Sequence, residues 1–377
     1  MKKNLSAALY LLIILNLVGC SIDVSQPTDL TSLPTTVLAD STPVPDLYQA
    51  TSSSPPGSTR SITWAGLKLT GRLLYSRLSS NNDISALSVE TLNLTTGEIR
   101  TIFTAPNDAW VYYSTVSPDG KQLIISYVPP SDSNPSRNQA LYMLPMDGSS
   151  SPQLVITPPT PYDQYLQVEW SPDGKYLYYV YNNYHAQPAD QIYPSYKIFR
   201  MAYPDGQPEQ IADNAFWPRV SPDSSKLVFV SLDPISGTNE LFLTNADGSN
   251  AQAIKIAGSQ VPGIKDAPMF SPDGQSIFFS APSPGQSYQP DWLDTWMGVQ
   301  IAKAHSIPSD WWSVPITGGE STRLTNIQST NLFASLSPDQ KHLASYSMDG
   351  LFVMELDGSN LTALIRDPGG STVNWIP

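Results

Sequence analysis

The chain has 377 residues, of which 33 are acidic and 20 are basic, so its formal net charge at neutral pH is −13. A surface of that sign repels nucleic acid and anionic lipid headgroups, which excludes a nucleic-acid partner. Cys20 is the only cysteine, so a disulfide within the chain is excluded and any folded part must be stabilised by its hydrophobic core.

The first twenty residues have the pattern of an export signal. Lys2 and Lys3 precede an apolar run from Leu5 to Val18, which is shorter than the roughly 20 residues that a permanent membrane helix needs. The run ends at Leu17-Val18-Gly19-Cys20, which resembles the lipobox of bacterial lipoproteins. In that family the cysteine thiol is acylated with diacylglycerol and the chain is cleaved just before it. We therefore predict a lipoprotein signal peptide over residues 1–19 and lipid attachment at Cys20; the alternative is an ordinary signal peptide with an incidental cysteine.

The next segment, residues 20–60, has the composition of a disordered tether. Between Ser21 and Arg60, 21 of the 40 residues are Ser, Thr or Pro, and no hydrophobic period can be read. Such a stretch buries too little apolar surface to offset the entropy of ordering it. Its root-mean-square reach would be roughly 35 Å by the flexible-chain rule. We predict that this tether holds a folded head away from the membrane.

A tripeptide, Ser-Pro-Asp, recurs five times after the tether and indicates a repeat fold. It stands at residues 117–119, 171–173, 221–223, 271–273 and 337–339, and each copy precedes a β-prone run. These residues suit the first three positions of a type I turn, and a glycine at the fourth suits a left-handed backbone. Gly120, Gly174 and Gly274 fill the fourth position. Ser224 and Gln340 replace the glycine, at a cost of about 1 kcal/mol each if the backbone stays left-handed.

A second turn signal follows each hairpin, so each repeat predicts four antiparallel strands, A to D, that form one propeller blade. This signal is Asp-Gly or Thr-Gly, at residues 96–97, 147–148, 205–206, 247–248, 317–318 and 357–358. Residues 71–76 align with 120–125 but lack a preceding strand A, and residues 373–377 align with 168–172 and supply it. We predict an all-β fold over residues 61–377: a six-bladed β-propeller of four-stranded blades, closed by the C-terminal strand.

With its five Ser-Pro-Asp turns, this region resembles the TolB-like, WD-type propeller repeats of bacterial envelope proteins. The resemblance covers residues 61–377 and implies the propeller fold. TolB carries an α/β domain before its propeller and is not lipidated, whereas this chain has a tether and a lipidation site there. Similar propellers also precede prolyl-peptidase domains. The resemblance therefore does not carry over the Tol-system role or peptidase activity.

The loops between strands B and C are longest in two repeats, and such loops all emerge on one face of a propeller. One insertion, about residues 181–196, holds Tyr184 and Tyr193, and the other, about residues 282–310, holds Trp292 and Trp296. Tyr and Trp dominate protein interfaces and also stack on sugars, so these four are the candidate binding residues. The alternative is that they pack over the end of the ring, which is the interpretation we favour for Trp311 and Trp312.

The sequence lacks the common signals of catalysis and cofactor binding. It has no Gly-x-Ser-x-Gly nucleophile motif and no glycine-rich phosphate loop before a helix. A loose set of possible metal ligands has no close spacing, so we predict no metal and no other cofactor. That set comprises His185, Asp190, Asp291, Asp294, His305 and Asp310.

Together these features favour an exported, lipid-anchored, monomeric propeller that binds or scaffolds a protein or peptide of the cell envelope through its inserted loops. A glycan-binding surface lipoprotein is the second hypothesis. A hydrolase or lyase with its site at the mouth of the central channel is the third, and it requires carboxylates or histidines that converge there.

Overall fold

The computed structural model describes residues 59–61, 68–81, 84–183, 196–233, 235, 238–258, 264–286, 307–366 and 369–377, and the account below concerns these residues. They form strands joined by turns and loops. None of them belongs to a helix that is long and apolar enough to cross a membrane. The predicted signal peptide, Cys20 and the tether up to residue 58 lie outside the described residues.

The strands form the six predicted blades. Blade 1 contains β1 (Thr59–Ser61), β2 (Arg72–Asn81), β3 (Ile84–Asn93) and β4 (Glu98–Thr104), and it is completed by the last strand of the chain. Blade 2 contains β5 (Trp110–Val116), β6 (Gln122–Val128), β7 (Ala140–Pro145) and β8 (Gln153–Ile156). Blade 3 contains β9 (Gln164–Trp170), β10 (Tyr176–Asn182), β11 (Tyr196–Ala202) and β12 (Glu209–Asp213).

The second half of the chain repeats the same arrangement. Blade 4 contains β13 (Ala215–Val220), β14 (Lys226–Leu232), β15 (Asn239–Asn245) and β16 (Gln252–Ala253), and the short β17 (Ile256–Ala257) follows it. Blade 5 contains β18 (Asp266–Phe270), β19 (Ser276–Pro282), β20 (Ser309–Pro315) and β22 (Thr322–Arg323). The short β21 (Gly319–Glu320) lies between β20 and β22 in the chain and is outside this sheet. Blade 6 contains β23 (Phe333–Leu336), β24 (His342–Ser347), β25 (Gly350–Glu355) and β26 (Thr362–Ile365). The parallel pair of β17 and β21 links blades 4 and 5.

The B strands explain the continuous apolar runs of the sequence. In β6 every residue after Gln122 is buried, because blades lie against both faces of this sheet. One face packs Leu123 and Ile125 against blade 1, and the other packs Ile124 against blade 3. The hydrophobic core therefore consists of layers between neighbouring blades, and each layer depends on two blades being present.

The five Ser-Pro-Asp turns have the predicted geometry. In each turn the serine hydroxyl donates to the aspartate carboxylate over 2.5–2.7 Å. The same hydroxyl accepts the backbone N–H of the first residue of the following strand. The fourth residue is left-handed in every copy, with φ of 62° at Ser224 and 59° at Gln340. The prediction of a left-handed fourth position is thus confirmed, including the two copies that lack glycine.

The glycines of the C–D turns serve as joints between blades. A Cβ atom on Gly148 of blade 2 would lie only 2.7 Å from the carbonyl oxygen of Ile102 in β4. The same approach to the preceding blade recurs at Gly248, Gly318 and Gly358. These turns therefore need glycine for close packing as well as for backbone conformation.

The ring is closed by the C-terminal strand, as predicted. Strand β27 (Gly369–Ile376) pairs antiparallel with β2, with Leu73 opposite Trp375 and Tyr75 opposite Val373. It is also bonded to both neighbouring blades, because Trp375 N–H donates to the Ser335 hydroxyl over 2.9 Å and the Ser114 and Thr372 hydroxyls lie 2.9 Å apart. The two ends of the propeller thus share one blade.

The start of the propeller differs from the prediction by one short strand. Thr59 and Arg60, which we assigned to the tether, pair in β1 with Arg100 and Ile99 of β4 and add a fifth strand to blade 1. The outer edge of β4 offers unpaired backbone groups that such a segment can satisfy. A three-residue strand carries no readable period, so the sequence did not reveal it.

Candidate functional site

The two ends of the ring carry different connections. The Ser-Pro-Asp turns and the C–D turns lie at one end, which we call the turn face, and the B–C and D–A loops lie at the other, which we call the loop face. The predicted binding residues belong to B–C loops, but Tyr184, Tyr193, Trp292 and Trp296 lie outside the described residues. The structure describes the stems from which these loops start.

The stem in blade 3 is a paired strand end. Asn182 at the end of β10 lies opposite Tyr196 at the start of β11. The Asn182 amide donates to Gln164 over 2.9 Å, and the Tyr181 hydroxyl donates to the buried carboxylate of Asp163 over 2.6 Å. Both ends of the blade 3 insertion are therefore fixed side by side at the loop face.

The stem in blade 5 is held by a buried carboxylate. Ser283 N–H donates to the carbonyl of Pro308 over 2.9 Å, and the Ser283 hydroxyl donates to Asp310 over 2.5 Å. Both carboxylate oxygens of Asp310 accept hydrogen bonds from protein groups, which accounts for this member of the loose metal-ligand set. No cluster of metal-ligand side chains occurs among the described residues. Trp311 and Trp312 are buried, in agreement with the packing interpretation.

Blade 4, between the two inserted blades, has a short B–C loop. Its Ile235 side chain is 68% exposed, more than any other large apolar side chain that the structure describes. The loop is closed by the Asp233 N–H, which donates to Thr238 over 2.9 Å, and by the Asp233 carboxylate, which accepts the Ile235 N–H over 2.8 Å. Blade 4 thus presents an apolar side chain on the loop face between the two insertions.

Aromatic side chains close the central channel. Tyr113, Trp217 and Phe333 each stand four residues before the serine of a turn, in blades 2, 4 and 6. Their ring centroids are 5.8 Å apart for Tyr113 and Trp217, and 5.4 Å apart for Trp217 and Phe333, in edge-to-face contact. Because these blades alternate around the ring, side chains that touch must meet near the axis. Burial raises the pKa of the Tyr113 hydroxyl, so it stays neutral.

A small polar cavity lies on the turn side of this plug. It is lined by the inner strands of blades 1 to 4 and contains Gln167, Glu169, Arg219 and Asn374. Glu169 accepts a hydrogen bond from Arg219 over 2.8 Å, and burial raises the pKa of Glu169 although Arg219 opposes that shift. Gln167 accepts the Trp217 N–H, and Asn374 donates to the Ser114 carbonyl, so these groups join neighbouring blades.

A hydrolase or lyase site at the channel mouth would require carboxylates or histidines that converge there, and the described inner strands do not bring such groups together. In this part of the chain they carry two carboxylates, Glu169 and Asp266, and no histidine. These two belong to different blades, and Glu169 is paired with Arg219. His342 lies at the turn face, where its ring nitrogens are 3.7 Å from Asp339 and 3.6 Å from Glu355.

Two of these features went beyond our sequence analysis. The plug had a readable signal, since an aromatic residue stands at the same place in three alternate repeats. The role of Asp310 had none, because its partners come from residues 283 and 323–328 and their convergence depends on the folded blade.

Comparison with known proteins supports the fold. No protein-family model matches the chain. An uncharacterized protein of Agrobacterium fabrum (strain C58) is 26% identical over 341 residues, covering 81% of this chain and 94% of that protein.

Solved structures share the propeller at low sequence identity. TolB from Acinetobacter baumannii superposes with a TM-score of 0.56 at 17% identity, covering 81% of this chain and 67% of that one. A protein of Agrobacterium tumefaciens assigned as TolB gives 0.53 at 19% identity, covering 74% and 94%. A chain of the nidogen/laminin complex gives 0.55 at 10% identity, covering 81% and 98%. The fold is therefore a TolB-like six-bladed β-propeller.

Proposed function

We propose that this chain is an exported lipoprotein, attached to a membrane of the cell envelope through Cys20, whose propeller binds a protein or peptide partner at its loop face. The side chains that we propose for the contact are Tyr184, Tyr193, Trp292 and Trp296.

The contrast between the channel and the loop face carries this proposal. The channel is filled by Tyr113, Trp217 and Phe333, and the cavity beside them is lined by polar groups that bond to one another. The loop face, by comparison, holds the fixed stems of two long insertions and the exposed Ile235. Rigid scaffolds with long loops at one end are typical of binding proteins.

The fold likeness gives a second, weaker support. One propeller of similar fold belongs to a complex between two proteins, nidogen and laminin. The fold is thus able to serve as a protein-binding module, although a shared fold alone does not assign a function.

Affinity capture from a detergent-solubilised envelope extract tests the proposed function. The bait is the full chain, compared with a variant that has alanine at Tyr184, Tyr193, Trp292 and Trp296. We expect the wild type to retain a protein that the variant loses, because aromatic side chains supply most of the energy of such contacts. The matched control replaces Leu154 and Leu361, two exposed apolar side chains away from the loop face, with alanine.

The control distinguishes a specific contact at the loop face from non-specific binding to exposed apolar side chains. The control variant should retain the same protein as the wild type, and all three baits should melt at the same temperature. If the aromatic variant also retains the protein, the loop-face assignment is wrong. If no bait retains a protein, the binding function is wrong for proteins, and immobilised glycans become the next ligands to test.

Lipid attachment is tested separately at Cys20. We expect the wild-type N-terminus to begin at Cys20 and to carry the diacylglycerol mass, and Cys20→Ala to lack both that mass and the cleavage before residue 20, because the thiol that would be acylated is absent. The measurement is fractionation with mass spectrometry of the mature N-terminus. A wild-type chain whose mature N-terminus lacks the diacylglycerol mass would contradict lipid attachment at Cys20.

A further inference from the structure

Asp310 is a buried carboxylate with an unusual number of hydrogen bonds. It is the second residue of β20, and its side chain is fully buried. It accepts hydrogen bonds from Ser283 Oγ (2.5 Å), Arg323 Nη2 (2.6 Å) and Nε (3.1 Å), Ile327 N (2.8 Å), Thr325 Oγ1 (3.2 Å) and Gln328 N (3.3 Å). Two oxygens thus serve six donors.

These donors come from three different segments of the loop face. Ser283 lies at the stem of the blade 5 insertion, and Arg323 lies on the outer strand β22 of the same blade. Residues 325–328 form the connection to blade 6, and beyond them Ser329 exchanges two backbone hydrogen bonds with Ser309, of 2.8 and 3.2 Å. The carboxylate is therefore the point where the stem, the outer strand and the next blade meet.

The corresponding position in other blades lacks this arrangement. Asp310 lies opposite Ala281 of strand B, and register places Ala140, Lys197, Glu240 and Gly350 at the equivalent point of strand C in blades 2, 3, 4 and 6. Lys197 and Glu240 are surface side chains, 36% and 55% exposed, that pair with other surface residues. The propeller fold itself does not need a buried carboxylate here. Blade 5, which has the longest insertion, is the blade that has one.

Burying a charge is costly unless it is paired and saturated with hydrogen bonds. Arg323 supplies the opposite charge with two donors to the same oxygen, and the backbone N–H groups of residues 327 and 328 serve the other oxygen. Hydrogen bonds to an ionised acceptor are shorter and stronger than those between neutral groups. Such a centre fixes the directions of all three segments at once.

We propose that Asp310 is a positioning residue: it holds the stem of the blade 5 insertion in a fixed place on the loop face, through Ser283, and locks that stem to blade 6. The purpose of this positioning, to present the insertion to a partner, rests on the proposed function. The positioning itself does not, and it can be measured without a partner.

Hydrogen exchange on the full chain tests the proposal with two matched variants. Ser283→Ala removes the hydroxyl that bonds to Asp310. Ser309→Ala makes the same change at another buried serine of the same stem, whose hydroxyl donates to the Ile307 carbonyl over 2.8 Å and does not reach Asp310. The reporters are the amides of residue 283, bonded to Pro308, and of Gln286, bonded to residue 283.

We expect exchange at these two amides to become about ten-fold faster in Ser283→Ala, as for the loss of a hydrogen bond to a charged acceptor, while the inner strands keep the wild-type rate. Ser309→Ala should leave the two amides unchanged. Uniform acceleration over the whole propeller in Ser283→Ala, no acceleration, or equal acceleration in both variants would each overturn the proposal.

Asp310→Asn gives a second measurement if it folds. It keeps the shape but removes the charge and turns one acceptor into a donor, so we expect faster exchange in the stem and at residues 327–328 together. Faster exchange at one of these segments alone would overturn the view that one carboxylate locks both.

Envelope capture with the same baits distinguishes failure of this proposal from failure of the proposed function. A wild-type chain that retains no protein sinks the proposed function, whereas the exchange rates still decide the role of Asp310.

Discussion

At the scale of single residues, glycine has two distinct roles in this propeller. Gly274 occupies the fourth position of a Ser-Pro-Asp turn with φ of 66°, and no atom lies within 4 Å of where its Cβ would be. Gly358 has φ of 83°, but its missing Cβ would also overlap the backbone of Leu324 in the preceding blade. The first glycine serves a turn, and the second serves a joint between blades.

Alanine substitutions separate these roles. Gly274→Ala should cost about 1 kcal/mol of unfolding free energy, because only the left-handed backbone is penalised. Gly358→Ala should cost about 1–3 kcal/mol more, because the overlap forces two blades apart. Urea-induced unfolding of both variants measures the difference. An equal loss of unfolding free energy in both variants would mean that blades 5 and 6 can move apart at Gly358 without destabilising the propeller.

At the scale of elements, the Ser-Pro-Asp turn is a unit of hydrogen bonds that depends on an ionised aspartate. The Ser221 hydroxyl, with the Ser225 N–H and hydroxyl, lowers the pKa of Asp223 to about 2. Hydrogen bonds from the turn serine and the backbone lower the pKa values of Asp119, Asp273 and Asp339 in the same way, and the Lys175 ammonium and the Ser171 hydroxyl lower the pKa of Asp173. Each turn is therefore held by a carboxylate that prefers to stay charged.

Acid should weaken these turns together. A carboxyl whose pKa is lower in the folded chain than in the unfolded chain stabilises the fold above the unfolded value of about 4, and this stabilisation is lost as the pH falls toward the folded value. We expect stability to decrease between about pH 4 and pH 2. Asp223→Asn should lower stability at pH 7 but lose less of it on acidification. Urea unfolding at pH 7, 4 and 2 tests this; parallel losses in both proteins would contradict it.

The elements that could be predicted are those with local signals. Short sequence motifs of up to four residues predict the turn at residues 117–120 and the glycine turn at position 148. Because the Ser-Pro-Asp motif occurs five times, the repeat fold could be predicted as well. Strand β1 could not be predicted, because its pairing with β4 joins segments about forty residues apart through three residues. The centre at Asp310 is likewise tertiary. For the candidate site, the sequence located the stems, while the contacts of the four aromatic residues stay a prediction.

At the scale of the whole molecule, blade 1 is the place where the ring becomes complete. Its inner strand β27 and its outer strands come from opposite ends of the chain. Val373, Trp375 and Ile376 are buried against strands that precede them by some 300 residues. A closed ring has no exposed inner edge, so the final strand contributes to the stability of every layer between blades.

Deletion of residues 371–377 should therefore abolish the cooperative melting of the propeller. The deletion uncovers β2 and removes the hydrogen bonds of Trp375 and Thr372 to blades 6 and 2. Deletion of Pro377 alone, an exposed residue after β27, is the control and should be neutral. Calorimetry and solubility measure both. A soluble truncation that melts at the wild-type temperature would show that closure is dispensable.

If the chain is attached through Cys20 as proposed, strand β1 is the first described part of the propeller that carries tension from the N-terminal segment. The chain runs through β1 from the loop end toward the turn end, antiparallel to β4, before it continues to β2. A force that pulls on the segment before Thr59 in the direction of this strand acts in shear on the three residue pairs between β1 and β4. These pairs carry the force before the other strands of blade 1 do. Shear loads the hydrogen bonds of an antiparallel pair together, rather than one after another as in peeling. In a propeller attached through its N-terminal segment, a force on that segment is transmitted to the ring through β1.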